Sequence, residues 1–348
     1  MSALTTLKIK DIIKETASSV SLVFDKPQGD GFNFVPGQFI TLISNIEGNE
    51  IRRAYSISSS PNNDIIKVCI KRVSGGVFSN YANDSLQKGE AIKVLPPEGK
   101  FQLHTNPSNS KKYAAFAAGS GVTPIMSMIK ATMENEPQSK FVLVYGNKSI
   151  GETIYYNEIQ ELKSKYENRF FVEYVFSQES NDNAQFGRID KSIINLITQS
   201  KYESFSFDDY YLCGHEAMIN TAKEELINNN VSEDVIHIEL FTTSSSNAMV
   251  ENTLEGTYSL KIVVDDEEIA VEADKQISLL DNALKHDIDA PYSCKGGVCC
   301  SCICRVTEGE AKMQENNMLT DDEIKDGLVL ACQAYAVSNT IKIDFDDA

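Results

Sequence analysis

Surplus positive charge is missing from this chain: 32 lysines and arginines face 50 aspartates and glutamates, a formal net charge of -18 over 348 residues. Neutralising phosphates needs a cationic surplus, so nucleic-acid binding is excluded. Also missing is any run of about 18 apolar residues, which excludes a membrane-spanning helix. Residues 1–24 alternate polar and apolar side chains without the apolar centre of a signal peptide, so a cytoplasmic chain is expected. Histidine is scarce, four in all. No His cluster or E-x-x-H pair occurs, so the chain holds no oxygenase centre of its own and a separate electron acceptor is expected. No long low-complexity tract interrupts a composition of 42% hydrophobic and 24% charged residues, which excludes general disorder.

What is present is unevenly spread. Residues 257–348 hold 19 acidic against 8 basic side chains, so 11 of the 18 net negative charges fall in the last quarter. That acidity reads as a solvated surface, or as steering toward a basic partner. Eight cysteines are present, and five of them (Cys294, Cys299, Cys300, Cys302 and Cys304) lie within eleven residues. Without a secretory signal, such crowding points to a metal rather than to disulfides.

The length calls for two or three cores. Up to about residue 107, short strands of period two alternate with Pro/Gly turns, the pattern of an antiparallel barrel or sandwich. From 108 to 243 apolar strands at 113–118, 141–145, 170–176, 210–213 and 235–241 alternate with helices, which predicts a parallel α/β sheet. Residues 244–256 end a Ser/Thr/Asn-rich stretch without periodicity and read as a tether. From 257 to 348 come a hairpin at 265–267, an amphipathic helix at 278–286, the cysteine loop and further strands, a compact α+β module.

Cys294, Cys299, Cys302 and Cys332 are spaced C-x4-C-x2-C followed by a distant cysteine, the plant-type arrangement for two irons. Gly296 and Gly297 let the backbone approach and aim N–H groups at sulfur. Zinc would prefer two matched C-x2-C pairs. Cys300 and Cys304 alternate with Cys302 and are expected to point away as small buried side chains. GGVFSN at 75–80 frees backbone N–H groups for an anion at the start of a short helix, with Gly76, Val77, Phe78 and Ser79 as candidates. Lys71 and Arg72 before it read as solvated strand residues or as phosphate contacts. AGSGVTP at 118–124 follows a buried strand and opens a helix, placing Gly119, Gly121 and Thr123 where a pyrophosphate meets a helix N-terminus. Asn147-Lys148 and Gly187-Arg188 set Lys148 and Arg188 near the adenosine ribose. The absence of an acidic residue after the second strand leans toward NADPH, with NADH possible.

These motifs carry a resemblance. APYSCKGGVCCSC at 290–302 is similar to plant-type ferredoxins. EGEAKM at 308–313, with Asn317, Leu319, Glu323, Gly327 and LACQ at 330–333, resembles the ferredoxin tail of the reductase components of phenylacetyl-CoA epoxidases. RAYS at 53–56, after PGQF at 36–39, resembles the R-x-Y-S signature of the ferredoxin-NADP reductase superfamily. The resemblance implies a flavin site in which the Arg53 guanidinium meets a pyrophosphate, Tyr55 stacks on the flavin with Ala54 beside it, and the Ser56 hydroxyl lies near the reactive ring nitrogen. It implies FAD rather than FMN through the 75–80 turn. Cys213-Gly214 resembles the nicotinamide-contacting pair, which makes Cys213 and Ser56 catalytic candidates, and Glu239 and Phe241 resemble the flavin-side end of the same domain. The implied architecture is a flavin barrel, a nucleotide domain and a β-grasp-like ferredoxin domain. The implied activity takes hydride from NAD(P)H onto FAD and passes single electrons to a 2Fe-2S cluster and then to a multisubunit di-iron oxygenase. A reductase serving another hydroxylase or a desaturase, and a redox-sensing binding protein, are the competing readings.

Overall fold

The computed structural model describes residues 4–241, 256–316 and 318–348. Asn317 and 242–255, most of the expected tether, lie outside the described residues. The chain divides into two compact units, one ending at Phe241 and one after it.

The first unit opens with strands β1 (Thr5–Thr16), β2 (Ser19–Asp25), β3 (Phe39–Ile46), β4 (Asn49–Ser56) and β5 (Ile65–Lys71), helix α1 (Val77–Asp84) and strand β6 (Ala91–Glu98). They pair in the antiparallel order β4-β3-β6-β1-β2-β5. Just past β4, Ile57 bridges to Val68 of β5, and Ser58 N–H donates to Lys67 C=O at 2.8 Å, which closes the sheet into a barrel. Alternate side chains, among them Leu22, Phe24, Ile40, Leu42, Val68 and Ile70, fill its interior.

The chain continues with β7 (Lys112–Ala118), α2 (Val122–Asn135), β8 (Lys140–Asn147), α3 (Tyr156–Lys165), β9 (Phe170–Phe176), β10 (Ala184–Phe186), α4 (Lys191–Asn195), β11 (Asp209–Gly214), α5 (Glu216–Asn228) and β12 (Ile236–Leu240). The sheet order is β10-β9-β8-β7-β11-β12, and every pairing is parallel. From β7 the chain first builds outward on one side of the sheet, through β8, β9 and β10, and then returns to build on the other. The chain order therefore reverses there, and the crevice between the carboxyl ends of β7 and β11 is where such sheets take ligands. α2 is buried along nearly its whole length. Short β10 has no counterpart among the expected strands, because three residues carry no readable period.

The second unit holds β13 (Thr257–Val264), β14 (Glu267–Asp274), α6 (Leu279–Lys285), β15 (Ile303–Glu308), β16 (Ala311–Met313), α7 (Asp321–Lys325), β17 (Leu328–Leu330), β18 (Ala334–Ala336) and β19 (Thr340–Asp344). A mixed sheet in the order β14-β13-β19-β15-β17, with β14 at its edge, packs against α6, the β-grasp arrangement implied by the resemblance. Asp265 and Asp266 both adopt left-handed backbone, φ 54° and 62°, which matches a tight two-residue turn to the twist of the β13–β14 hairpin. Ser278 caps α6, its hydroxyl accepting from Asp281 N–H at 3.0 Å.

Candidate functional site

The R-x-Y-S residues occupy the end of β4, where β3 fixes their register: Leu42 opposes Arg53, Thr41 opposes Ala54, Ile40 opposes Tyr55 and Phe39 opposes Ser56. Period two therefore separates Arg53 and Tyr55 from Ala54 and Ser56. Arg53 is exposed, and its guanidinium donates to Arg52 C=O at 2.7 Å. The Tyr55 ring lies 5.6 Å from that of Phe78 at 39°, which joins the strand end to α1, and burial pushes its phenol well above the usual range.

The 75–80 turn does open a helix. Gly76 is the N-cap of α1, and Ser79 Oγ accepts from Val73 N–H at 3.1 Å, closing the turn. Phe78 is buried in the barrel and Val77 is exposed, so an anion here would meet backbone N–H groups rather than the Phe78 side chain. Arg72 forms a two-pronged, solvent-exposed pair with Asp84 of α1, both contacts 2.6 Å. Lys71 reaches the nucleotide loop: a methyl group added at Gly119 would lie 3.5 Å from Lys71 Nζ.

That loop, Gly119–Gly121, joins β7 to α2. Tyr145 hydroxyl donates to Gly119 C=O at 2.9 Å, and Thr123 hydroxyl to Ser120 C=O at 2.9 Å. A Cβ at Gly121 would stand 2.2 Å from Cys213 C=O, so only glycine lets the end of β11 pass this close. His215, the N-cap of α5, is pushed below the ordinary imidazole value by burial and by Arg188 and Lys71 nearby. Lys71, Arg188 and His215 thus lie near one another, with Lys71 beside the 119–121 loop. Arg188 is expected near the nucleotide from sequence. Lys71 is expected at the flavin turn instead, and His215, an isolated residue in sequence, is brought in by β11.

Lys148 is exposed at the end of β8, where Gln178 N–H holds its carbonyl at 2.9 Å. Beside it stands a carboxylate that sequence reasoning misses: Glu179 accepts from Ile150 N–H at 3.0 Å. Glu179 follows the third strand of this sheet, and only the adjacency of β8 and β9 brings it to the second.

Ser56, Cys213 and Glu239 meet. Cys213 of β11 opposes Glu239 of β12, and Ser56 hydroxyl lies 3.5 Å from Glu239 Oε2. All three are buried, at 5%, 0% and 6% exposure. Burial raises the Glu239 carboxyl to about 8 and holds the Cys213 thiol well above its usual value, with Glu239 adding to the latter. Gly214 packs on Ala118 and Met218, and Phe241 is half-buried against the same core.

In the second unit the four spaced thiols fall into two pairs. Cys294 hydrogen-bonds with Cys299 and Cys302 with Cys332, and those contacts draw Cys294 down to about 7 and Cys332 below its usual value. Gly296 N–H donates to Cys294 Sγ at 3.2 Å, and Gly297 N–H points at Cys332. Among the described residues no three Cys, His, Asp or Glu side chains close on a single metal position. Two thiol pairs suit two irons with two thiolates each, rather than one zinc. Cys304 is buried in the core as expected, whereas Cys300 is half-buried with φ 60°, because the loop turns there.

Comparison with known proteins follows the same division. Family models described as oxidoreductase FAD-binding domain, oxidoreductase NAD-binding domain and 2Fe-2S iron-sulfur cluster binding domain match residues 6–103, 116–224 and 262–337. The chain is 34% identical to a subunit of the 1,2-phenylacetyl-CoA epoxidase of Escherichia coli (strain K12), over 99% of both chains. It is 32% identical to the ferredoxin reductase component of 3-ketosteroid-9-alpha-monooxygenase of Rhodococcus rhodochrous, over 97% of this chain and 96% of that one. A solved phthalate dioxygenase reductase shares its fold, with TM-score 0.64, 22% identity and 98% coverage of both chains. With flavin, nicotinamide and 2Fe-2S domains in this order and a relative of that identity along its whole length, the chain belongs to the family of ferredoxin-NADP reductase-type flavin/iron-sulfur oxidoreductases that includes this component of the phenylacetyl-CoA epoxidase.

Proposed function

We propose that the protein takes hydride from a nicotinamide nucleotide and delivers single electrons to the oxygenase that turns over phenylacetyl-CoA, a multisubunit di-iron enzyme in the cytoplasm. The observation that carries the reading is the buried meeting of Ser56, Cys213 and Glu239 where the end of β4 reaches the switch point of the parallel sheet. A bound flavin supplies hydride acceptance and one-electron release. Arg53 and the N–H groups of Gly76, Val77, Phe78 and Ser79 hold its phosphates, and Tyr55 and Ala54 border its ring. Ser56 presents its hydroxyl to the ring. Glu239 keeps its proton at neutral pH, so no buried negative charge opposes arriving hydride. Cys213 stays a neutral thiol beside the nicotinamide, and Gly119, Gly121, Thr123 and Gly214 shape its seat. Cys294, Cys299, Cys302 and Cys332 hold the cluster. The domains run 1–107, 108–243 and 257–348, joined by 244–256.

For the nucleotide, Lys148 and Arg188 favour NADPH through its 2′-phosphate. One observation favours NADH, the Glu179 carboxylate at the Lys148 loop, which would accept from a ribose 2′-hydroxyl and repel a phosphate. Anaerobic reduction by NADPH and by NADH, followed in the visible spectrum and by electron paramagnetic resonance, tests both points. Bleaching of a flavin followed by a reduced-cluster signal is expected. A protein that is reduced yet does not turn over with any acceptor would be a redox sensor instead.

A further inference from the structure

Behind Ser56, the chain runs on through Ile57, Ser58, Ser59 and Ser60, all fully buried or nearly so. On one side this segment closes the barrel against β5, and on the other it lies against α2 of the nucleotide domain. Lys130 Nζ donates to Ser58 C=O at 2.8 Å, Ser127 hydroxyl donates to Ser59 C=O at 2.7 Å, Ser60 hydroxyl donates to Glu134, and Asn62 reaches Glu134 at 3.0 Å and Asn135 at 2.8 Å. Ser127, Lys130, Glu134 and Asn135 fall on one face of α2. The Gly119–Gly121 loop leads directly into the first turn of that same helix.

Tyr155 completes the grip. Its hydroxyl meets Ser58 Oγ at 2.8 Å, and because that oxygen gives its own hydrogen to Lys67 C=O at 3.0 Å, Tyr155 is the donor. The Tyr155 backbone is left-handed, φ 63°, in a bulky residue, a conformation kept only where its surroundings over-determine it. Lys67 Nζ stands 4.3 Å from the Tyr155 ring centroid and bridges Glu15 and Glu158, both at 3.1 Å, while Lys130 pairs with Glu158 at 2.6 Å. Two cations and two carboxylates are thus balanced in a seam where apolar side chains of the same volume would be as stable, or more so. Oily surfaces slide past one another; directed hydrogen bonds do not.

We propose that Lys130 and Tyr155 are positioning residues for hydride transfer: Lys130 clamps the segment behind Ser56 to α2, the helix that also carries the nucleotide seat, and Tyr155, the N-cap of α3, holds Ser58 from a second element of the same domain. The inference deepens the reading of Ser56 as flavin-side. Neither residue touches a reacting atom. Displacement by about 1 Å can cost a hundredfold in such a step, so small losses of grip are readable.

The test uses full-length protein carrying Tyr155→Phe, Lys130→Met or Lys130→Arg. Stopped-flow reduction by nicotinamide deuterated at the transferred position is compared with hydrogen exchange of the 57–60 amides in flavin-free protein. Tyr155→Phe should retain flavin and nucleotide affinity yet slow hydride transfer roughly 3- to 10-fold, with a larger primary isotope effect, and Lys130→Met should slow it up to about 100-fold. Both should speed exchange at 57–60, and Lys130→Arg should restore most of the rate. Should Lys130→Met not fold, Tyr155→Phe, which loses one oxygen, decides alone. Unchanged transfer and protection, or a loss that tracks melting temperature and is not recovered by arginine, overturns the clamp. Failure of the parent to accept hydride at all would instead overturn the flavin-site reading.

Discussion

The two units build their sites in opposite ways. In the second, three thiols come from one nine-residue stretch and the fourth from the turn just past β17, so the site is nearly a property of local sequence. In the first, Ser56, Cys213 and Glu239 come from β4, β11 and β12, Lys71 and His215 from the ends of β5 and β11, and Glu179 from the loop after β9. A site made by one loop tolerates changes elsewhere in its unit; a site made by strand ends inherits every shift in how barrel and sheet are packed. Separate lesions should therefore give separate phenotypes.

The largest effect is expected from Cys299→Ser. Iron content should fall from about two per chain toward zero, transfer to cluster-dependent acceptors should vanish, and nicotinamide should still bleach the flavin. Loss of both steps together would break the contrast between the units. Next is Gly121→Ala. Its methyl group cannot share space with Cys213 C=O, so kcat/KM for nucleotide should drop about 100-fold while iron and flavin contents stay unchanged. Neutralising Lys148 and Arg188 together should weaken NADPH by roughly 10- to 100-fold and leave NADH nearly unchanged. Equal losses for both would assign the two cations to general attraction.

A smaller effect concerns pH. Glu239 keeps its proton to about 8 when folded, against 4.5 for the ordinary group, so the folded state binds the extra proton between those values and loses stability as pH rises through them. Glu239→Gln removes that contribution, and melting temperature against pH should flatten between about 5 and 8. Smallest is Ser278→Ala, which uncaps α6 and should cost the second unit about 1 kcal/mol, read as a shift in its own melting transition with flavin release unaffected. A common shift of both transitions would mean the units unfold as one.

Much of this was legible in sequence for a physical reason. Strands 113–118 and 141–145 announced themselves because a doubly covered parallel strand must be continuously apolar. Asp190 caps α4 by accepting from Ile193 N–H at 3.0 Å, a role that a short acidic side chain ahead of a helix fills locally. What stayed hidden depends on which strand lies beside which. Glu179 reads as a loop acid until β9 is set next to β8, and Arg72 reads as free until α1 turns Asp84 back toward it. The buried Lys67–Glu158–Lys130 seam runs against composition altogether, since lysines are normally placed on surfaces.

The position of β14 bears on how the protein behaves at high concentration. An outermost strand presents a ready template for another chain to add to, and three glutamates, Glu267, Glu268 and Glu272, line this one. A second copy approaching edge to edge would bring the same carboxylates against them. Part of the acidity in the last quarter of the chain therefore lies where it opposes edge-to-edge pairing of two copies.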